Sequence, residues 1–532
     1  MSARRVAAGA AAGIAGGAAL IAAISVVARV VGFGRQLVFQ YTVGQTVLGE
    51  IYATINALPN VVFEIVAGGA LASVVVPLIA SAASHGDTEH VRRTASALLG
   101  WTLIILVPVV LLGVVLAGPI AELMLRGRGG SEGVQVGRMM LLVFLPQIPL
   151  YGVAVVTAGV LQAHRRFLAA AIAPIVSSVV VATTFVVFAY AFRGGDRNDL
   201  ESLDRSSELI LAGGTTLGVM LLALTTLVPM LVRATTLRPT LTFPPGVARR
   251  AAGLAGAGVA TLAAQQLAML MSYVMSNEHA GTGGAVTFQN SWMVYLLPYA
   301  VLAVPIATAS FPRLSTYAEN DPQAYARTLA ASTRAVLTAS GFGAAVLIAA
   351  SWPVARFFGL LDRGDVGIER MAWALIAFAP GLLGYGLVAH LGRALYARGR
   401  GRIAATAMAS GWLLVVVLAV TLTAVVPEEY VTAALGAANS FGMTLAGVLL
   451  LRAIAADSGR AALQGLSRAL TGVVMGAAVG GVAGWWTSTL LPDKGAGSVV
   501  LSGVLSALVA VVVAAGVIVV TDRKALFAVL RR

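Results

Sequence analysis

The chain has 532 residues, 58% of them hydrophobic and only 11% charged, against about 25% charged in an ordinary soluble domain. That balance excludes a soluble fold and points to an all-α polytopic membrane protein, whose helices satisfy their own backbone groups in lipid. The net charge of +14 does not indicate nucleic acid, because the arginines stand between apolar runs instead of massing on one surface; with no cysteine and five scattered histidines, neither a metal site nor a cofactor is expected.

Windows of about 20 apolar residues predict about fourteen spans, near 17–43, 47–82, 95–118, 138–162, 167–192, 208–232, 250–276, 285–314, 328–350, 371–397, 403–425, 431–452, 467–491 and 497–521. The alanine-rich N-terminus after Arg4 and Arg5 reads as an uncleaved first span, its apolar run being too long for a signal peptide. That span carries Arg29 and Arg35, in ISVVARVVGFGRQLVFQYTVG. A charge near the bilayer centre costs ~3 kcal/mol on insertion scales, so such arginines face a protein interior or a watered cavity. Two of them point to an anionic ligand. Six positions place them ~240° apart on a regular helix, so they share a face only if the helix bends. Gly32 and Gly34 make a bend there cheap. The alternative is a pair of arginines snorkelling to opposite interfaces.

In the second span, Glu50 at the outer end is either an outer gate or a solvated interfacial carboxylate. Glu64, in LPNVVFEIVAGGALASVVVP, is as costly as the arginines. It either pairs with one of them in competition with a substrate phosphate, or makes a structural ion pair, or faces water at a helix end. Pro59 and Pro298, in comparable Leu-Pro steps, and Gly68-Gly69 are candidates for hinges or for close helix packing. His390 and Arg393, late in the tenth span, add positive charge to the inner mouth of a cavity, unless His390 is structural. Gln265, Gln266, Gln289 and Asn290 serve either as donors to a sugar or peptide or as interhelical bonds. No paired carboxylates, Ser/His/Asp set or phosphate loop occur, so a transporter is expected, not an enzyme.

An internal repeat organises the chain. Pro146, Tyr151, Gly152, Leu161, Ala163 and Arg166 match Pro380, Tyr385, Gly386, Leu395, Ala397 and Arg400 at a constant offset of 234. The stretch around Pro77 matches that around Pro312 at 235. Two six-helix lobes are expected, 1–238 and 239–455, followed by two additional helices in 456–532. An even number of spans per copy makes the lobes parallel, related by a pseudo-twofold along the membrane normal, as in two-lobed alternating-access transporters. With the N-terminus inside, 24 of the 36 Lys and Arg fall in inside segments and 10 in outside loops, which places both termini in the cytoplasm of a multi-pass plasma-membrane protein.

The motifs ARVVGFGR (28–35), LPNVVFEIVAGGALASVVVPLI (58–79), GVLQAHRRFLAAAIAP (159–174), LLPYAVLAVPIATASFPRLS (296–315) and RALYARGR (393–400) resemble the MurJ/MviN family, from the first span to about the twelfth. The resemblance implies a fourteen-helix fold of the multidrug/oligosaccharidyl-lipid/polysaccharide exporter superfamily, in an actinobacterial branch. It further implies flipping of lipid II, the undecaprenyl-pyrophosphate-linked peptidoglycan precursor, from the inner to the outer leaflet. Arg29 and Arg35 match the family's first-helix arginines, which would hold the pyrophosphate, and Glu50 matches an acidic position at the start of the second helix. Phe63 and Glu64 stand where the family commonly has basic residues. The expected partners are lipid II or a related polyprenyl-pyrophosphate saccharide, membrane lipids and the peptidoglycan synthesis machinery. A flippase for another polyprenyl-linked saccharide, a MATE-like small-molecule exporter and a non-transporting cell-wall scaffold are the alternatives.

Overall fold

The computed structural model describes residues 3–65, 79, 87–164, 166–232, 237–244, 247–362, 367–491 and 495–530, with side chains outside 3–22, 248–258 and 522–530. Gly68-Gly69 and Pro77 lie outside the described residues. No strand occurs among those that are described. The helices form two compact units, Met1–Val259 and Ala260–Arg532.

The first unit contains α1 (Ala3–Thr42), α2 (Val47–Phe63), α3 (Thr88–Val115), α4 (Ala117–Leu125), α5 (Gly130–Phe144), α6 (Gln147–Ala163), α7 (Leu168–Ala191) and α8 (Arg205–Leu231). The division between the units falls inside α9 (Val247–His279), whereas the expected boundary at 238/239 lies in the connection before that helix. The second unit continues with α10 (Gly284–Pro298), a π turn at Tyr299–Ala303, α11 (Val304–Asn320), α12 (Pro322–Ala349), α13 (Ser351–Leu361), α14 (Ile368–Phe378) and α15 (Gly381–Ala397). It ends with α16 (Gly401–Thr423), α17 (Val431–Ser458), α18 (Leu466–Leu490) and α19 (Ala496–Leu530).

Among the described residues, eleven helical stretches are long and apolar enough to cross a membrane, and twelve if α14 and α15, bent by 46°, make one span. Each coincides with one of the last twelve expected spans. The remaining two are 17–43, which the 40-residue α1 covers to Thr42, and 47–82, of which α2 is described. The protein is therefore an all-α polytopic membrane protein.

The sequence repeat reappears as a repeat of helix boundaries. α3 and α12 start at Thr88 and Pro322 and end at Val115 and Ala349; α4 and α13 start at Ala117 and Ser351; α6 and α15 end at Ala163 and Ala397. All these pairs keep the offset of 234. Matching chemistry sets the matching limits. Asp87 and Asp321 cap α3 and α12, each carboxylate accepting from the amide three residues on, His90 at 2.9 Å and Ala324 at 2.8 Å. Pro146 and Pro380 have no N–H to donate, and each marks the break where α5 gives way to α6 and α14 to α15.

Each unit is centred on aromatic side chains. Phe39, Tyr52, Phe144 and Phe185 from α1, α2, α5 and α7 meet with ring centroids 5.3–5.8 Å apart. In the second unit Trp292, Tyr295, Phe378, Tyr385 and Trp412 do the same at 5.0–6.4 Å. There α12 is the most enclosed span, 72% buried, and α18 and α19 pack on it and on each other. Backbones approach closely where α15 meets α17, because a Cβ on Gly384 would overlap the Met443 carbonyl.

Gly384→Ala should therefore cost about 1–3 kcal/mol, read as a lower thermal midpoint of the detergent-solubilised protein. Gly32→Ala, whose added methyl meets nothing within 4 Å, should leave that midpoint unchanged or slightly raised.

Candidate functional site

α1 is α-helical without interruption through Gly32 and Gly34, so at about 100° per residue Arg29 and Arg35 point about 120° apart. Arg29 is exposed and Arg35 half-buried. The structure does not bring them onto one face. Neither guanidinium has an ion pair or hydrogen bond among the described residues, which leaves five donors on each for an anion.

Arg35 lies within electrostatic reach of two tyrosines, Tyr52 of α2 and Tyr151 of α6. The Tyr52 hydroxyl is shared with Thr215 Oγ1 of α8 at 2.8 Å, and the Tyr151 hydroxyl donates to Asn60 Oδ1 of α2 at 3.1 Å. Phe63 packs on the Tyr151 ring with centroids 4.4 Å apart. Glu64 also acts on Tyr151, and its side chain is exposed at a π turn covering 64–65. No described residue forms an ion pair with Glu64, so its expected pairing with Arg29 or Arg35 is not made in this conformation. The site therefore consists of Arg35, Asn60, Phe63, Glu64 and Tyr151 on three helices of one unit. Sequence reasoning recognised Tyr151 only as part of the repeat and missed Asn60; the polar Asn after Pro59 on an apolar helix was the available signal.

Glu50 is not a solvated interfacial carboxylate. It is fully buried, and Arg128, 15% exposed, lies 3.3 Å from it. The partner comes from the connection between α4 and α5, not from the first helix, because α2 rises about 21 Å between Glu50 and Glu64. The Arg-Gly-Arg-Gly-Gly run 126–130 makes that contact possible. Arg126, Gly127, Gly129 and Gly130 all have positive φ, 48°, 78°, 75° and 64°, and the tight loop turns Arg128 inward. That glycine-rich run was the unread signal for the pair.

His390 is fully buried, its Nε2 2.9 Å from Ser332 Oγ and its Nδ1 3.5 Å from Ser310 Oγ. These contacts make it a packing residue of α15, not a lining charge. Arg393 is half-buried, donates to the Ala389 carbonyl at 2.6 Å and acts on Tyr299. Pro59 and Pro298 each precede a π turn, at 64–65 and Tyr299–Ala303. Such local widening of a helix often accompanies functional sites.

A family model described as lipid II flippase MurJ matches residues 39–518. The chain belongs to the MurJ family. The match includes Glu50 and Glu64 and starts after Arg29 and Arg35. Among curated relatives, the lipid II flippase MurJ of Burkholderia cenocepacia is 23% identical over 396 residues, 71% of this chain and 72% of that protein. The probable lipid II flippase MurJ of Rhizobium meliloti is 23% identical over 347 residues, 64% and 62% of the two chains. That of Buchnera aphidicola subsp. Schizaphis graminum is 22% identical over 170 residues, so the matched part spans 32% of its length. Among solved structures, a lipid II flippase MurJ in an inward closed conformation has a TM-score of 0.71 at 17% identity, covering 94% of this chain and 98% of that one. An inward-facing multidrug resistance MATE family transporter of the MOP superfamily has a TM-score of 0.65 at 15% identity, covering 80% and 95%. These structural likenesses show a shared fold.

Breaking the buried pair should be costly, since the survivor is left charged and desolvated. Glu50→Ala is expected to destabilise the protein by about 3–5 kcal/mol, and the double variant Glu50→Gln/Arg128→Gln to recover part of the loss, measured as a thermal double-mutant cycle.

Proposed function

We propose that this chain flips lipid II from the inner to the outer leaflet by alternating access between two parallel six-helix lobes. Arg35 supports this reading most directly: it is a half-buried guanidinium on a membrane helix, unpaired among the described residues and within electrostatic reach of two tyrosines, in a chain of the MurJ family. An intramembrane cation without a counterion is costly unless its site is watered and an anion visits it. A pyrophosphate answers that need with charge-assisted, bidentate bonds in a poorly screened cavity. Arg29 joins the same anion when the helix flexes at Gly32 and Gly34, where added side chains would meet no neighbour. The π turns after Pro59 and Pro298 supply further hinges.

The polyprenyl tail stays in hydrocarbon, alongside α18 and α19, whose outer faces expose Val474, Val482, Trp486, Leu501 and Leu508. Both termini lie in the cytoplasm, following the arginine distribution. Any net charge carried by the moving lobe couples the cycle to membrane potential at about 2.3 kcal/mol per charge per 100 mV. A small-molecule exporter on the same fold, the reading that the MATE likeness favours, needs no anion clamp and would tolerate loss of the arginines.

In cells depleted of their own flippase, the wild-type chain should restore external exposure of lipid II, and Arg29→Ala/Arg35→Ala should not, at equal membrane abundance. Arg35→Lys keeps the charge but loses the planar fork, so it should fall in between, with exposure reduced about tenfold. Survival of full exposure in the double variant would remove the clamp and favour the exporter.

A further inference from the structure

Glu64 has no task in the clamp just described. It is an exposed carboxylate on a spanning helix, and a carboxylate there is tolerable only when it faces water or a partner. It stands one turn beyond Asn60, on the same face of α2. Asn60 is already engaged: its amide donates to the Asn56 carbonyl at 2.7 Å and its Oδ1 accepts from Tyr151 at 3.1 Å. Phe63 and Tyr151, both half-buried, are packed ring on ring with 34° between their planes. A carboxylate with no ion-pair partner among the described residues therefore stands beside an aromatic wall whose phenol is tied off.

Arg35 and Glu64 both lie within electrostatic reach of Tyr151, and no ion pair joins them among the described residues. A ligand that satisfied both would carry an anion and a cation within reach of one tyrosine. A hydroxyl or amide would bond the carboxylate but gain nothing from the ring faces. A primary ammonium gains from both, through an ion pair and a cation–π contact. We propose that Glu64, Phe63 and Tyr151 form a subsite for a primary ammonium group on the peptide of the cargo, so that the chain selects pyrophosphate-linked cargo with a free amine. The inference rests on the flippase reading and names the part of the head group that Arg35 leaves unread.

The test compares two cargoes in proteoliposomes containing the full-length chain: a lysine-containing lipid II and the same molecule acetylated on the lysine amine. The wild type should move the free-amine cargo about tenfold faster. Glu64→Gln and Phe63→Leu should bring it down to the rate of the acetylated cargo, Glu64→Asp should restore part of the preference, and Arg35→Ala should slow both cargoes alike. Equal wild-type rates with transport still dependent on Arg35 would overturn the subsite and leave the flippase reading standing. A preference that persists in Glu64→Gln would also overturn it. If the folded wild type moves neither cargo, the flippase reading fails and the subsite fails with it.

Discussion

Hydrocarbon offers a charge no solvent, and that cost organises the polar chemistry of the chain. Three kinds of answer stand out among the described residues. Glu50 is sealed away with Arg128, where their attraction offsets desolvation. Asp457, at the end of α17, is shared by Arg398 and Arg400 at 3.0 and 2.9 Å, and Arg398 also lies over the Tyr325 ring. Arg35 and Glu64 have neither kind of partner among the described residues, and they are the groups on which the proposed transport chemistry rests.

The same cost explains how the helices are built. A backbone in lipid must close its own hydrogen bonds, so irregularity is confined to places where a side chain or proline compensates. Prolines at matched positions break the fourth and tenth spans, and aspartates at matched positions cap the third and ninth. Outside the spans, arginines tie down the connections. Arg197 donates to the Thr42 carbonyl at 2.6 Å, and Arg370 bonds the Ala280 carbonyl at 2.7 Å and Glu428 at 2.9 Å. The turn between the first two helices is thus held by the loop before α8 in the first unit and by the first turn of α14 in the second.

A flippase for a large amphiphile needs a place for an anion, a place for the remainder of the head group, and an apolar exit for the tail. In the proposed reading, the residues for the first two are drawn from the cluster around Tyr151, on three helices of a single unit. The departures from the family pattern at Phe63 and Glu64 then gain a physical meaning. If the proposed amine subsite holds, an aromatic ring and a carboxylate at these positions would trade general attraction for phosphate against discrimination among head groups.

Sequence by itself determined the class, the span positions and the repeat, because each depends on local quantities: apolar length, proline placement and the spacing of like residues. It also singled out Arg29, Arg35 and Glu64, since a charge in an apolar run is conspicuous whatever surrounds it. What a charge meets is a matter of three dimensions, and there only tertiary structure decided. Arg128 reaches Glu50 because a glycine-rich loop with positive φ turns it inward, a contact between residues far apart in the chain. His390 stood open between a lining and a structural role until Ser310 and Ser332 enclosed it, and Tyr151 looked like a repeat marker until Asn60 and Phe63 met it. Partners come from helices whose rotation and depth are set by packing, and neither is written in the order of residues along a single span.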